Sequence, residues 1–310
     1  MKARRQAHRL FFPLSSTQWG VGILFVLVIT GILCYTFRKK SPYQRTTIAV
    51  IGEKISVISW DRKNNSYLVI SMPQDMRIEA IHGYGMYSVG ALWKLDQMER
   101  FGGKLFSMSL GDAIGVPIDG VLETGVKTAG EGEPISVVKQ AFSFPFPLPL
   151  GLALDLWWGS HITKISSVSE VDINEQKLYS EVSLSDETVA KSIDLPGLSL
   201  ALGTKLEDEE VRGEALRVAV YNGTDLPGLG ASVARQLSTM GMFVVVVGND
   251  EKTLARCQIM AGKEFQQTHT FTILQELYNC KLLENGEDGR ADVTIHLGRE
   301  YAGKFKPKER

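Results

Sequence analysis

A charge-free stretch, Phe11–Phe37, restricts how this chain can fold more than any other part of the sequence. As a helix rising about 1.5 Å per residue, its apolar centre, Gly20–Phe37, would cross roughly the 30 Å hydrocarbon core of a bilayer. Aromatic side chains stand at both ends, where amphipathic rings favour the headgroup layer: Trp19, Tyr35 and Phe37. Basic residues flank both ends as well. The stretch therefore predicts one membrane-spanning helix.

Three other readings fit this stretch less well. A buried core helix would not need basic residues at both ends, where they cluster in 2–9 and 38–45. A cleaved signal peptide needs a small-residue cleavage site, whereas this run ends in bulky residues before three consecutive cations. A lipoprotein signal at Cys34 would need a small residue where Leu33 stands. We expect a retained anchor, and the nearly equal flanking charges leave its orientation open.

The net charge of −1 hides an uneven distribution along the 310 residues. Residues 1–45 carry eight Lys and Arg and no acid, so the rest of the chain is acidic, with 26 bases against 35 acids. Proteins that bind nucleic acid use basic stripes to displace counterions, so the acidic body argues against nucleic acid as a partner. It also argues against broad electrostatic docking on anionic lipid.

The cysteines and histidines do not predict a metal site. Cys257 and Cys280 lie outside the predicted span; they could pair in an exported body, although two lone cysteines are more often simply buried. The sequence contains no CxxC or HExxH, and its five histidines lack ligand spacing. We expect no metal bound through His or Cys.

Beyond the anchor, strand patterns alternate with helix patterns. β-branched and apolar residues predict three strands: 47–50, 54–60 and 67–72. Two helices are predicted: 88–101 and 104–114. The first should turn one apolar face inward, formed by Val89, Leu92, Leu95, Met98 and Phe101. Strands alternating with helices predict an α/β layered domain.

The order of these motifs resembles the LytR-CpsA-Psr family. Three segments carry the resemblance: Ile51–Asp61, Leu68–Asp75 and Leu110–Gly120. Members of the family are bacterial membrane-anchored enzymes that transfer glycopolymers from polyprenyl-pyrophosphate carriers to peptidoglycan outside the membrane. The resemblance implies an α/β domain over 46–205, with the membrane, cell-wall glycan, polyprenyl-pyrophosphate lipid or envelope proteins as partners.

The chain departs from the family pattern at the residues that carry the chemistry. The family has an Arg and an Asp before the second strand and Pro-Arg-Asp after the third, and these bind pyrophosphate and Mg²⁺. Here Ile51 and Glu53 occupy the first two positions, and Gln74 replaces the second arginine before Asp75. Glutamine has no charge to offer a pyrophosphate. An active enzyme would use Glu53 and Asp75 for the metal and Arg77 for the pyrophosphate; otherwise Arg77 is a solvated side chain.

An unusual apolar segment follows this domain core. A glycine-rich polar loop is predicted over Thr124–Glu133, and alternating prolines then forbid a helix until near Gly151. The helix that starts there carries Trp157 and Trp158. These side chains either pack on the first domain or form a lip that touches the membrane or a lipid tail.

A charged joint, Leu206–Gly213, precedes a C-terminal domain over 214–301. Its predicted strands are Leu216–Tyr221, Phe243–Val247 and Asp292–Leu297. The second is apolar throughout, which is typical of a strand buried in a parallel sheet. One helix should place Val233, Leu237 and Met240 inward before Gly241, and another is predicted over 264–278.

This domain resembles the LytR C-terminal domain. The resemblance rests on a strand ending in Asn-Gly-Thr at 222–224, a glycine-containing helix entry, and the closing Asp-Val-Thr-Ile-His-Leu-Gly at 292–298. That module often follows the catalytic-type domain named above. The tandem order implies an exported body, with residues 1–45 forming a cytoplasmic tail and an anchor.

The turn Asn222–Gly230 is a candidate for binding an anion through Asn222, Gly223 and Thr224, because helix N-termini attract negative charge. It lacks the third glycine of a dinucleotide fingerprint. Glycines at a strand–helix turn otherwise serve backbone geometry alone, which is the commoner role.

Two functional hypotheses follow. The first is a non-catalytic, membrane-anchored, extracytoplasmic envelope protein that binds wall glycan, carrier lipid or another protein, with no cofactor. The second is a divergent phosphotransferase that attaches glycopolymers to peptidoglycan with Mg²⁺. The missing arginines favour the first. A transcription regulator is not expected, because no helix-turn-helix is evident and the body is acidic.

Overall fold

The computed structural model describes residues 29–31, 44–123, 138–139, 141–142, 148, 150–183, 189–284 and 289–303. Apart from the helical residues Ile29–Gly31, the predicted span Phe11–Phe37 lies outside this part of the chain, as do the loop Thr124–Glu133 and the prolines after it. Within the described residues, no helix has the length and hydrophobicity that crossing a bilayer requires. The chain divides into two units, Met1–Lys40 and Ser41–Arg310, and the second contains the α/β architecture.

Five strands form the central sheet of the first α/β domain. Their order is β6 (Gly120–Glu123), β1 (Arg45–Ile51), β2 (Lys54–Asp61), β3 (Ser66–Pro73) and β7 (Ser167–Asp172). β1, β2 and β3 form an antiparallel meander, whereas β6 and β7 run parallel to their neighbours. The three strands predicted from the sequence are confirmed, each slightly longer than predicted.

Successive side chains of each strand point to opposite faces of this sheet. Both faces are buried. One face packs against α1 (Val89–Met98) and α2 (Lys104–Ile114). Its sheet residues include Ala49, Ile55, Val57, Leu68 and Ile70. The other face packs against α3 (Leu150–Trp157) and Phe142. Its sheet residues are Ile48, Val50, Ile58, Trp60, Tyr67 and Val69.

Helix α1 confirms the predicted element but not its entire inward face. Val89 and Leu92 are buried, whereas Met98 is 79% exposed. The third inward position is instead Asp96, which is completely buried. Spacing of three and then four residues follows the 3.6-residue helical repeat, and a strict three-residue repeat drifts off the face. The predicted inward position of Met98 is therefore wrong.

The buried carboxylate of Asp96 joins α1 to the start of α2. One oxygen accepts the backbone N–H of Gly103 at 2.6 Å and the other accepts that of Phe106 at 2.9 Å. These donors lie in the first turn of α2, where backbone N–H groups lack partners within the helix. Asp96 thus serves as a side-chain cap supplied by the preceding helix.

A smaller sheet and a helix complete this domain. The strand order is β5 (Gly85–Ser88), β4 (Arg77–Ala80), β9 (Val189–Ile193) and β8 (Tyr179–Ser183). Helix α4 (Leu195–Leu202) follows β9 and buries Leu198 and Leu202 in the same core as α1 and α2. Helix α3 continues into a five-residue π-helix, Trp158–Ile162.

The joint predicted at Leu206–Gly213 contains a short helix, α5 (Glu209–Glu214). Asp208 caps it by accepting the N–H groups of Glu210 and Val211. At the other end, the Glu214 carboxylate accepts the N–H groups of His269 and Thr270. The joint is therefore tied to the C-terminal domain by hydrogen bonds.

A five-stranded sheet forms the C-terminal domain. Its order is β11 (Phe243–Asn249), β10 (Arg217–Asn222), β14 (Val293–Leu297), β12 (Gln258–Ala261) and β13 (Lys281–Leu283). β10 runs parallel to β11 and β14, and β12 runs antiparallel to β14. Its helices are α6 (Leu229–Thr239), α7 (His269–Tyr278) and α8 (Arg299–Ala302), with a 3-10 turn at Lys263–Gln267.

Two predictions for this domain are corrected. β11 is parallel as predicted, but it is the outermost strand, and Phe243, Val245 and Val247 are exposed. An apolar run by itself does not distinguish a central strand from an edge strand. The helix predicted over 264–278 begins only at His269, because Thr268 caps it by accepting the N–H of Phe271. The inward face of α6 is confirmed, with Val233, Leu237 and Met240 fully buried.

The two cysteines of the C-terminal domain, Cys257 and Cys280, form a disulfide. Each directly precedes one strand of the parallel pair β12 and β13, in which Gln258 lies opposite Lys281. The bond therefore fixes β13, the edge strand among the described residues, to its neighbour β12. The sequence left open whether these cysteines pair or are simply buried. In the structure they are both paired and buried.

Removing the disulfide should destabilise the C-terminal domain. The bond closes a segment with a sequence separation of 23, for which loop-closure entropy gives about 3 kcal/mol of stabilisation. We expect the Cys257→Ser/Cys280→Ser variant to lose about this amount of unfolding free energy in urea titrations. Reductant should lower the urea concentration at the unfolding midpoint of the parent protein and leave the midpoint of the double variant unchanged. Equal midpoints for the parent and the variant would contradict the assignment.

Asp96→Ala should be strongly destabilising, because it leaves the buried N–H groups of Gly103 and Phe106 without an acceptor. We expect a loss of about 2–3 kcal/mol in the free energy of unfolding. Asp96→Asn keeps one acceptor oxygen and should lose less. The matched control is Gln97→Ala on the exposed side of the same helix, which should change stability by less than about 0.5 kcal/mol. Similar losses at both positions would exclude the capping role.

Candidate functional site

The residues singled out for catalysis lie on two neighbouring turns at one end of the central sheet. Glu53 stands in the turn between β1 and β2, and Asp75 stands in the turn between β3 and β4. The antiparallel register brings these turns side by side, because Lys54 pairs with Pro73. Helix α1 starts beside them, since the N–H of Val89 donates to the carbonyl of Met76. The structure thus brings the expected site segments together.

Gln74, which stands where the family has an arginine, is committed to contacts within the protein. Its side-chain Nε2 donates to the backbone carbonyl of Gly52 at 2.5 Å. The backbone carbonyl of Gln74 accepts the N–H of Gly90 at 2.9 Å. A Cβ on Gly90 would lie only 2.8 Å from Gln74 Oε1. The Gln74 side chain therefore lies against the first turn of α1 and joins it to the turn between β1 and β2.

The three side chains proposed for an active enzyme differ in exposure. Glu53 and Asp75 are exposed, and Arg77 is half-buried on β4, where it pairs with Ser88 and Ser192. Across the parts of the chain that the structure describes, no group of three or more His, Cys, Asp or Glu side chains could hold a metal ion.

The lysine next to Glu53 already has a partner. Lys54 Nζ lies 2.7 Å from Asp172 Oδ2 on β7. Burial opposes ionisation of Asp172, but the hydrogen bond from Lys54 and the N–H groups of Glu175 and Asn174 hold its pKa below the usual value. The same hydrogen bond raises the pKa of Lys54. The positive charge at this end of the sheet is thus compensated within the protein.

Trp157 and Trp158 lie where α3 passes into the π-helix. Ala153 and Leu156 of α3 are buried in the core on the second face of the sheet, which agrees with packing on the first domain. The two tryptophans themselves are 37% and 53% exposed. Trp157 stacks on His161 with ring centroids 5.8 Å apart. The helix therefore packs through one side and presents its tryptophans on the other.

Two further exposed side chains were not singled out from the sequence. Leu154 and Ile162 are 44% and 52% exposed. They lie four residues before and after Trp158 along the helical segment. Helical spacing alone could have identified them, because positions four apart share one side of a helix.

The residues considered for anion binding are engaged inside their own turn. Asn222 Oδ1 accepts the N–H of Thr224 at 3.1 Å and its hydroxyl at 2.7 Å. The N–H of Gly223 donates to the carbonyl of Leu297, and a Cβ there would lie 2.7 Å from that oxygen. The glycine is required by this close approach. The contacts favour the backbone role over anion binding.

The larger cavities lie between the first domain and the C-terminal domain. One, of about 540 Å³, is bounded by α4, α6 and β11. Another, of about 610 Å³, is polar and is lined by Arg45, Asp61, Glu207 and Arg212 among others. In the second cavity Arg45 pairs with Asp61 at 3.4 Å and Arg212 with Glu207 at 3.0 Å. Sequence patterns could not reveal these cavities, because their walls come from distant segments.

Comparison with known proteins connects part of the chain to a family. Residues 215–301 match the family model LytR_C, described as "LytR cell envelope-related transcriptional attenuator". No curated protein matches the chain. The predicted resemblance of this domain to the LytR C-terminal domain is therefore confirmed over 215–301.

Several solved structures are similar to the chain over about half of its length. Bacillus subtilis TagT has 12% identity over 53% of this chain and 90% of its own, with a TM-score of 0.38. The LytR-CPS2A-psr family protein YwtF (TagT) with bound octaprenyl pyrophosphate lipid has 13% identity over the same shares, with a TM-score of 0.38. B. subtilis TagV has 10% identity over 52% of this chain and 95% of its own, with a TM-score of 0.37. Residues 215–301 thus match the LytR_C family model, and these structural similarities are to TagT and TagV.

Proposed function

We propose that this protein is a non-catalytic, membrane-anchored protein of the bacterial cell envelope whose extracytoplasmic body binds wall glycopolymer or its polyprenyl-pyrophosphate carrier. It would need no metal or other cofactor. Its N-terminus would be cytoplasmic, and the stretch Phe11–Phe37 would be its single membrane span. The observation that carries the proposal is the structural engagement of Gln74 at the position of a family arginine.

The charge available at the candidate site supports a binding role without catalysis. A pyrophosphate undergoing transfer accumulates negative charge that preorganised cations must stabilise. At the two matching arginine positions this chain has Ile51, which is buried, and Gln74, whose amide joins two backbone segments. Lys54 is paired with Asp172, and Arg77 lies on a strand of the smaller sheet.

The disulfide supports an extracytoplasmic body. Disulfides persist in oxidising compartments and are rare in the reducing cytosol. Cys257 and Cys280 are buried and bonded within the domain that matches the LytR_C family. The description of that family as cell-envelope-related agrees with the same location.

The engagement of Gln74 can be tested through stability. Gln74→Ala removes the donor to Gly52 and the packing against Gly90, and we expect a loss of about 1 kcal/mol in the free energy of unfolding. Asp75→Ala, one residue further on and exposed, is the matched control and should change stability by less than about 0.5 kcal/mol. Urea titrations of both variants provide the measurement. If Asp75→Ala destabilised the protein and Gln74→Ala did not, the structural role assigned to Gln74 would be wrong.

Catalysis and binding can be measured on the same preparation. The full chain in nanodiscs is given an undecaprenyl-pyrophosphate-linked glycopolymer, isolated peptidoglycan sacculi and Mg²⁺. We expect the protein to cosediment with the sacculi or retain the carrier, without releasing undecaprenyl phosphate. The reason is that no arginine stands at either matching position.

Two outcomes would contradict the proposal. Mg²⁺-dependent release of undecaprenyl phosphate that Asp75→Ala or Arg77→Ala abolishes would establish the phosphotransferase alternative. Absence of both release and binding would remove the envelope polymer as ligand. Gln97→Ala, an exposed change on α1, is the control that should alter neither readout.

A further inference from the structure

The exposed side of α3 and of the π-helix that follows it carries several large apolar side chains. Leu154, Trp157, Trp158 and Ile162 are between 37% and 53% exposed and lie along one side of α3 and the π-helix; we call them the tryptophan patch. Contiguous exposed apolar side chains of this size mark contact surfaces. The patch lies on the exposed side of a helix, so we expect an apolar partner.

The patch is held firmly by the side of the helix that faces the protein. A Cβ on Gly159 would lie 2.4 Å from Cζ2 of Trp60, so the helix can approach the sheet this closely only with glycine there. Asn65 Nδ2 donates to the carbonyls of Gly159 at 3.2 Å and Lys164 at 2.9 Å. The turn between β2 and β3 therefore fixes the orientation of the exposed tryptophans.

The same turn marks the place where the chain enters the domain. The carbonyl of Gln44 accepts the N–H of Arg62 at 3.0 Å, and Arg45 pairs with Asp61 across β1 and β2. The predicted span ends at Phe37. Seven residue steps reach at most about 25 Å when fully extended. The tryptophan patch and the first described residues of the domain therefore lie at the same end of the sheet.

We propose that the tryptophan patch inserts into the headgroup layer of the bilayer that holds the predicted anchor. The inference rests on the membrane anchoring included in the proposed function. Indole rings favour this layer because they combine a large apolar body with one N–H donor. Lys164, which is exposed immediately after the patch, supplies a cation suited to lipid phosphates. The acidic body then needs no broad electrostatic attraction, because the tether supplies the local concentration.

The test uses depth-dependent quenching of tryptophan fluorescence with the full chain in nanodiscs. The lipids carry bromine near the glycerol backbone, and Trp19→Phe removes the tryptophan beside the predicted span. In that background we expect clear quenching, and the further change Trp157→Phe/Trp158→Phe should reduce the quenched fraction at least twofold. Trp93→Phe is the matched control, because Trp93 packs edge-on against Phe106 on the other face of the sheet. It should leave the quenched fraction unchanged.

A quenched fraction that Trp157→Phe/Trp158→Phe leaves unchanged would overturn the proposal. So would quenching that arises only after a polyprenyl carrier is added, because it would assign the patch to a lipid tail. Leu154→Ser/Ile162→Ser provides a second variant that keeps both fluorophores, and it should shift the tryptophan emission toward that of exposed indole. Failure of the anchor itself is distinguishable, because Trp19 in the parent chain would then escape quenching by bromines near the glycerol backbone.

Discussion

The rest of the structure depends on the meander of β1, β2 and β3, which is buried on both faces. When one face is polar, a register slip of one residue is penalised because it buries polar side chains. Here both faces are apolar, so that penalty is weak, and polar groups fix the register instead. Thr47 donates to Ser59 directly across from it, and Trp60 Nε1 donates to Asn65 at 2.8 Å. At the other end, Lys54 bonds to Asp172.

This arrangement places the candidate turns and the tryptophan patch at opposite ends of β2. The turns that contain Glu53 and Asp75 lie at one end of β2, and the turn that supports the tryptophan patch lies at the other. An eight-residue strand spans about 25 Å. In the proposed arrangement the patch contacts the bilayer, and the candidate turns are directed away from it, toward the wall.

Several polar side chains satisfy backbone groups at the places where elements of the fold meet. Asp96 caps α2, Asp208 caps α5, and Gln74 joins a turn to α1. Asn222 closes the turn before α6. Buried donors and acceptors without partners are costly, so chains of this kind place short polar side chains wherever elements meet. Gln74 and Asn222, which lie in segments that carry the family resemblances, therefore both make structural contacts.

The sequence predicted what local pattern determines. The strands of the meander, the inward face of α6 and the C-terminal domain were predicted from alternation, helical spacing and motif, and the structure and the family comparison confirm them. It did not predict the exposure of Met98 and Val245 or the pairing of Cys257 with Cys280, because these depend on tertiary contacts between segments that are distant in the sequence. The candidate turns were expected to meet, and they do. That Gln74 is engaged there could not be inferred, since its partner Gly52 is 22 residues away along the chain.

The topology of the C-terminal sheet places its first and last strands next to each other. β10 begins the domain, and β14, close to the end of the described chain, inserts between β10 and β12. Until β14 has been synthesised, β10 lacks its neighbour on that side, and the core residues Val293, Ile295 and Leu297 are missing. Loop-closure entropy must be overcome before this distant pairing is gained. The domain therefore completes its core only after nearly all of its chain has emerged, so an interrupted polypeptide would present an open sheet to chaperones and proteases.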